Sequence, residues 1–531
     1  MFSKNDDLSP VAPLHHPVFR MLWISWLMAN VGMWMTEVAA GWMMTSMTTK
    51  PIWVALVQTA ATLPVFLLAL PSGALADNLD RKRYFLSTQL WVALVAMVLC
   101  VLAFVDEMSP PVLLALVFAN GMGMAMRWPV FAAIVPEIVP RTQLPAALGL
   151  NGVSMNASRI IGPLIAGALI AGAGSSWVFL FNAVLSLGAA LLISRWHREH
   201  QVNPLGRERF FAAMRVGLRY VGQSRHLTGV LMRIAVFLFH STALMALLPL
   251  VARSMQGGSA GTFTMLLAAM GAGAIASSMF LPRLRQRYPR DGLIVRGAAV
   301  VALAMGVVAI TNLVWFAVPA MFLAGAAWIM TSNTLSVSIQ MGLPDWVRAR
   351  GMAIFLMTFM GASAGGAAIW GQLATWSSVP VSLGLAAVSG VSCMALLAYA
   401  RPDTGVVEDL TPKRIFPAPL NVAPAPGHVM VTIEYRVEPG RADEFRRLML
   451  GETRRSRLRH GALSWELLHD LNDPARFVEI IVDESWTDHL RRFDRITAAD
   501  VELRDRRLQS HLGSEPPAIQ RYLVDSNSKA E

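Results

Sequence analysis

The sequence predicts an all-α polytopic membrane protein, with twelve transmembrane helices in two six-helix halves and a small C-terminal α+β domain. The chain of 531 residues is 55% hydrophobic and only 15% charged. Its first ~400 residues divide into apolar stretches of about 20 residues, the length that a helix needs to cross the hydrocarbon core of a bilayer. Only internally hydrogen-bonded helices or closed barrels satisfy their backbone polar groups there. The apolar stretches therefore predict a helix bundle in the membrane.

Twelve such stretches are present, and one long basic connection separates the sixth from the seventh. They lie at residues 19–44, 53–76, 84–105, 111–134, 144–173, 176–193, 230–251, 263–284, 293–311, 314–337, 351–373 and 381–400. This grouping gives an N-terminal bundle at residues 19–194 and a C-terminal bundle at residues 230–401. Two six-helix halves around a central connection are typical of secondary transporters.

The charges of the connections predict the orientation. Connections on one side carry basic clusters such as that at residues 81–83, whereas those on the other side hold isolated charges such as Lys50 and Arg253. Lys and Arg collect on the cytoplasmic side of a membrane protein. We therefore expect a multi-pass protein of the bacterial inner membrane with both termini in the cytoplasm, including an N-terminal segment at residues 1–18.

The connection at residues 195–229 has the pattern of a basic amphipathic helix. Arg215 and Arg219 are interleaved with apolar residues such as Leu218 and Tyr220. A helix with one cationic face and one apolar face suits the membrane interface. We predict a cytoplasmic linker helix that lies along the membrane surface.

The composition changes after residue 401. Residues 402–427 are rich in proline, which predicts a semi-rigid linker, and residues 428–526 have the composition of a soluble domain. Residues 429–437 alternate apolar and polar side chains as a half-buried strand does. Ser485 and Asp488 predict a capping box at the start of one helix that runs towards residue 510. The predicted order of elements is βαββαβ, which indicates a ferredoxin-like cytoplasmic domain.

Several function classes are disfavoured. The net charge of +11 is explained by cytoplasmic segments that face anionic lipid, so we expect no nucleic-acid partner. Cys100 and Cys393 lie far apart in apolar stretches, which indicates neither a disulfide framework nor a metal site. The chain lacks the phosphate-binding pattern GxxxxGK[ST]. We therefore expect no cofactor, and an ion gradient rather than ATP hydrolysis as the energy source.

The most specific local motif lies at residues 73–83, at the end of the second stretch. Its small residues allow close helix contact, and Asp77 stands four residues before Arg81, near enough to pair with it. The motif resembles the loop between helices 2 and 3 of the major facilitator superfamily, which has the pattern GxLADRxGRK. The matching residues are Gly73, Leu75, Ala76, Asp77, Arg81 and Lys82, whereas Asn78 and Asp80 depart from the pattern.

In that family the motif latches one conformation. The resemblance therefore implies that Gly73, Asp77, Arg81 and Lys82 form a conformational latch. We expect Glu137, just beyond the fourth stretch, to pair with Arg81 across the cytoplasmic surface. The alternatives are a basic loop with an incidental acid at residue 77 and an exposed loop acid at residue 137.

Further segments resemble the branch of this superfamily that contains the enterobactin exporter. They lie at residues 19–23, 32–34, 41–42, 136–140, 156–163 and 343–350. The resemblance covers nearly the whole chain and implies the major facilitator fold and efflux of a small molecule, without naming the cargo. Some members of the branch also carry a similar C-terminal domain.

Ionisable residues inside the apolar stretches are costly and are therefore functional candidates. Glu37 lies past the middle of the first stretch and is our first candidate for proton coupling or for binding a cationic cargo; alternatively, it has access to water near the outer surface. Arg159 lies in the fifth stretch, in a segment that resembles the antiporter motif of the exporting members, or it snorkels to the cytoplasmic face. Arg127 in the fourth stretch is the third candidate for proton coupling or for lining the substrate cavity; alternatively, it marks the cytoplasmic third of that helix.

Three residues that follow Arg159 predict close packing and bending of the fifth helix: Gly162, Pro163 and Gly167. His240 in the seventh stretch and Asn333 in the tenth are weaker candidates for lining the substrate cavity. A lone polar residue in a helix bundle more often satisfies a neighbour than binds a cargo.

The leading hypothesis is a proton-driven exporter of a siderophore, an antibiotic or a drug that works by alternating access, with lipid, cargo and protons as its partners. A second hypothesis is a membrane-tethered enzyme, because ferredoxin-like domains resemble small cofactor-free monooxygenases. The residues that would line its pocket are His460, Trp465, His469 and His489. A third is that residues 428–526 regulate the transporter or form a homodimer. We favour this third role for the domain and expect no catalytic residues.

Overall fold

The computed structural model describes residue 9 and residues 11–140, 142–196, 210–402, 409–411, 413, 427–512 and 515–524. The predicted segments at residues 1–18 and 402–427, and the first part of the linker at residues 195–229, therefore lie largely outside the described residues. Twelve long helices and one shorter linker helix precede a four-stranded antiparallel sheet.

The first half contains six helices. They are α1 (Pro17–Met47), α2 (Pro51–Asn78), α3 (Arg81–Phe104), α4 (Pro110–Ile138), α5 (Leu144–Gly172) and α6 (Ser175–Ser194). Proline opens α1, α2 and α4, where its missing N–H costs nothing because the first backbone N–H groups of a helix have no partner within it. Asp80 accepts a hydrogen bond from the backbone N–H of Arg83 at 2.8 Å and caps α3. The departure of Asp80 from the loop motif is thus explained by helix capping.

The second half contains the remaining six long helices. They are α8 (Arg225–Ser254), α9 (Ala260–Arg287), α10 (Arg290–Ile310), α11 (Val314–Met341), α12 (Asp345–Trp376) and α13 (Val379–Ala400), and the linker helix α7 (Phe210–Gln223) precedes them. Eleven of the twelve long helices are long and apolar enough to cross a membrane. The exception is α1, which carries both Arg20 and Glu37 within its 31 residues.

Glycine lets helices of the second half approach until their backbones touch. A Cβ atom at Gly273 of α9 would overlap the carbonyl group of Phe322, and one at Gly325 of α11 would overlap the carbonyl group of Met270. Small residues at such contacts are typical of helix packing in membranes, where no hydrophobic effect drives helices together. The contact fixes α9 against α11.

The chain divides into two compact units. One contains residues 1–203, 232–335 and 355–403, and the other contains residues 204–231, 336–354 and 404–531. The second unit therefore combines the C-terminal domain with α7, the start of α8, the end of α11 and the start of α12.

The C-terminal domain has the predicted element order. Strand β1 (His428–Arg436) is followed by α14 (Ala442–Leu448), a π-helical turn (Met449–Thr453) and α15 (Arg454–Arg459), then by β2 (Ser464–His469), β3 (Arg476–Asp483), α16 (Trp486–Asp494), α17 (Ala498–Leu508) and β4 (Ala518–Val524). The strands are antiparallel in the order β2-β3-β1-β4. Alternate residues of β1, from Val429 to Tyr435, and Val437 just after it are buried in the core of the domain.

The prediction of a single helix after Ser485 is wrong, because the structure has two helices there, α16 and α17. Ser485 caps α16 by accepting from the N–H of Asp488, as predicted. A second capping residue, Thr497, then starts α17, and the Asp500 carboxylate accepts from the backbone N–H of Thr497 at 3.0 Å. Two N-terminal caps, twelve positions apart, therefore divide the segment into two helices.

A buried ionic network holds β3 to the helices. The Glu479 carboxylate is inaccessible to solvent and accepts from Arg457 at 2.8 and 3.2 Å, from Trp465 Nε1 at 2.8 Å and from the Tyr435 hydroxyl at 3.1 Å. Burial alone would raise the pKa of Glu479. The Arg457 guanidinium and the hydrogen bonds outweigh this and lower it to about 2, from an ordinary value of 4.5.

We expect the domain to lose stability at acid pH through this residue. Because the pKa of Glu479 is lower in the folded state, its contribution is fully present above its unfolded pKa and is lost as the pH falls from about 4.5 towards 2. The loss is up to about 3 kcal/mol. Hydrogen exchange of the β3 amides in the full chain, corrected for intrinsic rates, would show a falling protection factor over that range. Glu479→Gln should reduce this pH dependence, to which the lowered pKa values of Asp483 and Asp500 also contribute, and Glu466→Gln, on an exposed residue of β2, should leave it unchanged.

Candidate functional site

Two of the predicted residues meet between the two halves. Arg159 of α5 lies between the indole rings of Trp34 in α1 and Trp328 in α11, with its Cζ atom 5.1 Å and 4.6 Å from the two ring centroids. Glu37, one turn along α1 from Trp34, interacts electrostatically with Arg159 and is hydrogen-bonded to the Gln58 side chain of α2. We call these five residues the Arg159 cluster.

The Arg159 cluster draws on both halves of the bundle. Its five side chains are half-buried. Trp34, Glu37, Gln58 and Arg159 belong to the first half, and Trp328 belongs to the second. A guanidinium over an aromatic face gains about 0.5–2 kcal/mol, depending on its exposure to water. The cation of one half therefore makes a favourable contact with the other half, and this contact depends on how the halves are arranged.

Backbone packing positions Arg159 over Trp34. Gly162, one turn after Arg159, lies so close to α1 that a Cβ atom there would be 2.6 Å from Trp34 Cβ and 3.1 Å from the Val31 carbonyl oxygen. Pro163 lies inside α5. A side chain at residue 162 would push the two helices apart and separate the guanidinium from the indole.

Glu37 is the single carboxyl group of the described side chains that lies well inside a long helix of the bundle. The other described acids of these helices, Glu137 and Asp291, lie within one turn of a helix end. The Arg159 cluster thus contains one group able to take up and release a proton, beside one permanent cation. Together with aromatic walls, this arrangement can bind a molecule that has both apolar surface and polar groups.

Arg127 lies elsewhere in the first half. It is 1% exposed, and its guanidinium lies over the Trp26 ring at 5.3 Å and makes long hydrogen bonds of 3.4 Å to the side-chain oxygens of Gln89 and Asn30. In the described part of the chain it pairs with no carboxylate. It contacts no member of the Arg159 cluster among the described residues.

His240 and Asn333 also lie apart from the cluster. His240 Nδ1 donates to the Val236 carbonyl at 2.7 Å, and its ring lies 5.6 Å from that of Trp370. Asn333 is exposed and accepts a hydrogen bond from Arg285 at 2.9 Å. Arg285 belongs to the degenerate counterpart of the loop motif, so Asn333 acts there as the partner of a basic residue.

The structure brings Arg81 and Glu137 together. Arg81 Nη1 is 2.6 Å from Glu137 Oε1, and this ion pair joins the start of α3 to the end of α4. Lys82, the residue after Arg81, is half-buried. Gly73 and Asp77 lie in the last turns of α2, and the surroundings of these two residues are outside the described part of the molecule. The role of these residues as a latch stays a prediction.

The two halves make contact at the far side, by which we mean the end of the bundle at which α1 ends. The Arg253 guanidinium donates to the Thr45 carbonyl, and the Ile52 N–H donates to Thr375 Oγ1 at 2.9 Å. The rings of Trp42 and Phe263 stack with their centroids 5.8 Å apart. Hydrogen bonds and stacked rings therefore join the halves at this end.

Gly167 belongs to the same interface. A Cβ atom at this position of α5 would overlap the Thr264 side chain of α9. Only the absence of a side chain lets these two helices of different halves approach so closely. The residue predicted for helix packing thus lies where the halves meet.

The four candidate pocket residues of the C-terminal domain have structural partners. His460 Nε2 is 3.3 Å from Asp500, and His489 Nδ1 is 2.8 Å from Asp483. Trp465 donates to Glu479, and His469 stacks on Phe477 with ring centroids 4.3 Å apart. These partners do not favour a catalytic pocket.

Sequence reasoning missed the partners of Glu37 and Arg159. Gln58 is the one amide side chain of the apolar stretch at residues 53–76, and this signal was available. Trp34 and Trp328 carried no signal of their own, because tryptophan also faces lipid and packs in helix interfaces.

The family described as "transmembrane secretion effector" matches residues 8–529. The chain is 23% identical over 332 residues to the staphyloferrin A transporter of Staphylococcus aureus, across 62% of this chain and 82% of that protein. It is 26% identical over 381 residues to the enterobactin exporter EntS of Salmonella typhimurium, across 71% and 89% of the two chains. It is also 26% identical over 199 residues to the macrolide efflux protein A of Enterococcus faecalis, across 35% and 58%.

Solved transporters share the fold. A bacterial homologue of the human lysosomal transporter Spinster, in an inward-facing conformation, has a TM-score of 0.55 and 14% identity, across 73% of this chain and 96% of that one. The twelve long helices therefore have the arrangement of a known transporter fold.

Proposed function

Because the chain belongs to the transmembrane secretion effector family of major facilitator transporters, we propose that it is a proton-driven exporter of a small amphiphilic molecule. The Arg159 cluster is the observation that carries this proposal. It places a carboxyl group, a permanent cation and two indole rings where the halves of the bundle meet. Such a site can bind cargo and a proton in alternation.

Alternate binding of cargo and of a proton at Glu37 couples export to the proton gradient. A cargo group that donates a hydrogen bond to the Glu37 carboxylate competes with a proton for the same oxygen atoms, because a protonated carboxyl group has lost that acceptor capacity. Proton uptake from the outside then displaces cargo, and proton release to the cytoplasm restores the site. The membrane potential contributes about 2.3 kcal/mol per charge and 100 mV to this cycle.

The contacts between the halves support alternating access as the transport mechanism. The far-side contacts at Thr45, Ile52 and Gly167 are short and specific. We propose that they break when the site opens to the outside and form again when it opens to the cytoplasm. The basic residues at the start of α3 support a cytoplasmic location for the opposite side of the bundle.

The relatives support a siderophore or an antibiotic as the class of cargo. Two of them are named as transporters of siderophores and one as a macrolide efflux protein. Aromatic walls around one carboxyl group and one guanidinium suit such molecules, which combine apolar surface with hydrogen-bonding groups.

Transport into inverted membrane vesicles tests the proposal. Vesicles that contain the protein, with an acidic lumen, should accumulate radiolabelled enterobactin, staphyloferrin A or erythromycin above the level of vesicles without it. A protonophore should abolish the accumulation. Accumulation that is unchanged by the protonophore would contradict proton coupling, and no accumulation of any of the three would contradict the proposed cargo class.

A further inference from the structure

The second compact unit joins the C-terminal domain to the ends of three long helices. Residues 204–231, 336–354 and 404–531 form this unit, so α8, α11 and α12 each have one end inside it. Within this unit, the C-terminal domain contacts α7 and Trp346, the second residue of α12.

The linker helix α7 presents its arginines to the C-terminal domain. Arg215 forms an ion pair with Glu484, which follows β3. Arg219 Nη1 donates to the carbonyl of Ala462 at 2.6 Å and to that of Leu463 at 3.2 Å. A charged donor makes a strong hydrogen bond with a backbone carbonyl. The cationic face predicted to meet lipid therefore has protein partners.

Trp346 is enclosed by three side chains of this unit. The Tyr220 ring of α7 meets the indole edge-on at 5.4 Å and 89°, and the His460 ring is 6.4 Å away. The Arg495 guanidinium lies over the indole, with Cζ 4.7 Å from the ring centroid. Arg495 is itself held by a hydrogen bond of 2.7 Å to the His460 carbonyl. A residue of α12 is thus bound by both α7 and the C-terminal domain.

The helix ends are packed against α7 and against each other. A Cβ atom at Gly217 of α7 would be 2.9 Å from Arg350 Cβ of α12. A Cβ atom at Gly342, just after α11, would be 2.8 Å from Leu227 Cδ2 of α8. The ends of α8, α11 and α12 therefore belong to one packed unit with the C-terminal domain.

We propose that the C-terminal domain is a conformational clamp, which holds Trp346 and α7 and thereby stabilises the transporter with its far side closed. Helix α12 continues from Trp346 to Thr375, whose hydroxyl accepts a far-side hydrogen bond. Because a helix transmits displacement along its axis, fixing one end of α12 biases the position of the other. Release of the clamp then favours the far-side-open state and sets the rate of the transport cycle.

Distance measurements between spin labels test the clamp without any cargo. In the full chain, with Cys100 and Cys393 replaced by alanine, labels at Glu107 and Asn312 report the far side, because these exposed residues lie in the α3–α4 and α10–α11 connections. A second pair at Leu218 of α7 and Leu468 of β2 reports release of the domain, since both residues are exposed. Arg215→Glu combined with Trp346→Ala should lengthen the Leu218–Leu468 distance and at least double the population with a long far-side distance.

A charge swap and a matched control complete the experiment. Adding Glu484→Arg to Arg215→Glu, with Trp346 retained, should return both distances to those of the unmodified chain. Arg446→Glu is the control, because Arg446 pairs with Asp443 inside α14 and contacts neither α7 nor Trp346 among the described residues. Release of the domain with no change at the far side would overturn the clamp. An unchanged Leu218–Leu468 distance in the double variant would overturn its assignment to these contacts.

Discussion

Replacement of Glu37 by glutamine is expected to lower proton-driven accumulation of cargo more than tenfold while leaving cargo exchange largely intact. The amide matches the carboxylate in size and can still hydrogen-bond Gln58, but it cannot release a proton. Proton coupling therefore fails, whereas exchange of labelled for unlabelled cargo at equal pH needs only binding and reorientation. Both assays use the same inverted vesicles, so the two rates can be compared on one preparation.

The control for this variant is Glu107→Gln, since Glu107 is an exposed carboxyl group in the α3–α4 connection. Its accumulation rate should stay within twofold of the unmodified protein. Loss of exchange together with accumulation in Glu37→Gln would assign Glu37 to cargo binding alone. Full accumulation in that variant would remove Glu37 from the mechanism.

Replacement of Gly167 by leucine should stop transport by holding the far side open. A leucine at this position has no space, because even a Cβ atom would overlap the Thr264 side chain of α9. Helices α5 and α9 must then separate, and the far-side contacts of their halves are lost. We expect more than a tenfold fall in accumulation and a longer distance between spin labels at Glu107 and Asn312.

Gly172→Leu provides a matched control in the same helix. A Cβ atom at Gly172 would meet no atom within 4 Å, so this variant should transport within twofold of the unmodified chain. Removal of the opposing side chain, in Gly167→Ala with Thr264→Gly, should restore part of the activity, because a Cβ atom at residue 167 would also overlap Thr264 Cβ. Equal effects of the leucine variants at 167 and 172 would show that tight packing at the far side does not govern transport.

The helices of the bundle could be predicted from the sequence because their signal is local. An apolar stretch of fixed length is visible in any window of the chain, and the ends of helices such as α5 and α13 lie within two residues of their predicted positions. The division of the segment after Ser485 was missed, because Thr497 and Asp500 form a cap that composition alone does not reveal.

The candidate site could be predicted only in part. Glu37 and Arg159 are conspicuous because charges in apolar stretches are rare. The local pattern of a single sequence, however, does not reveal which helices pack against each other. Trp328 is 169 positions from Arg159 and reaches it only through the packing of the two halves. The same limit applies to α7, whose amphipathic pattern predicts a partner surface without distinguishing lipid from the C-terminal domain.

The buried guanidinium of Arg127 has a consequence for the permeability of the membrane. A fixed positive charge with no carboxylate partner in the described part of the chain lies between α1, α3 and α4. A fixed positive charge disfavours any cation close to it, as a charged constriction does in a water channel. We therefore expect this part of the first half to disfavour the passage of protons.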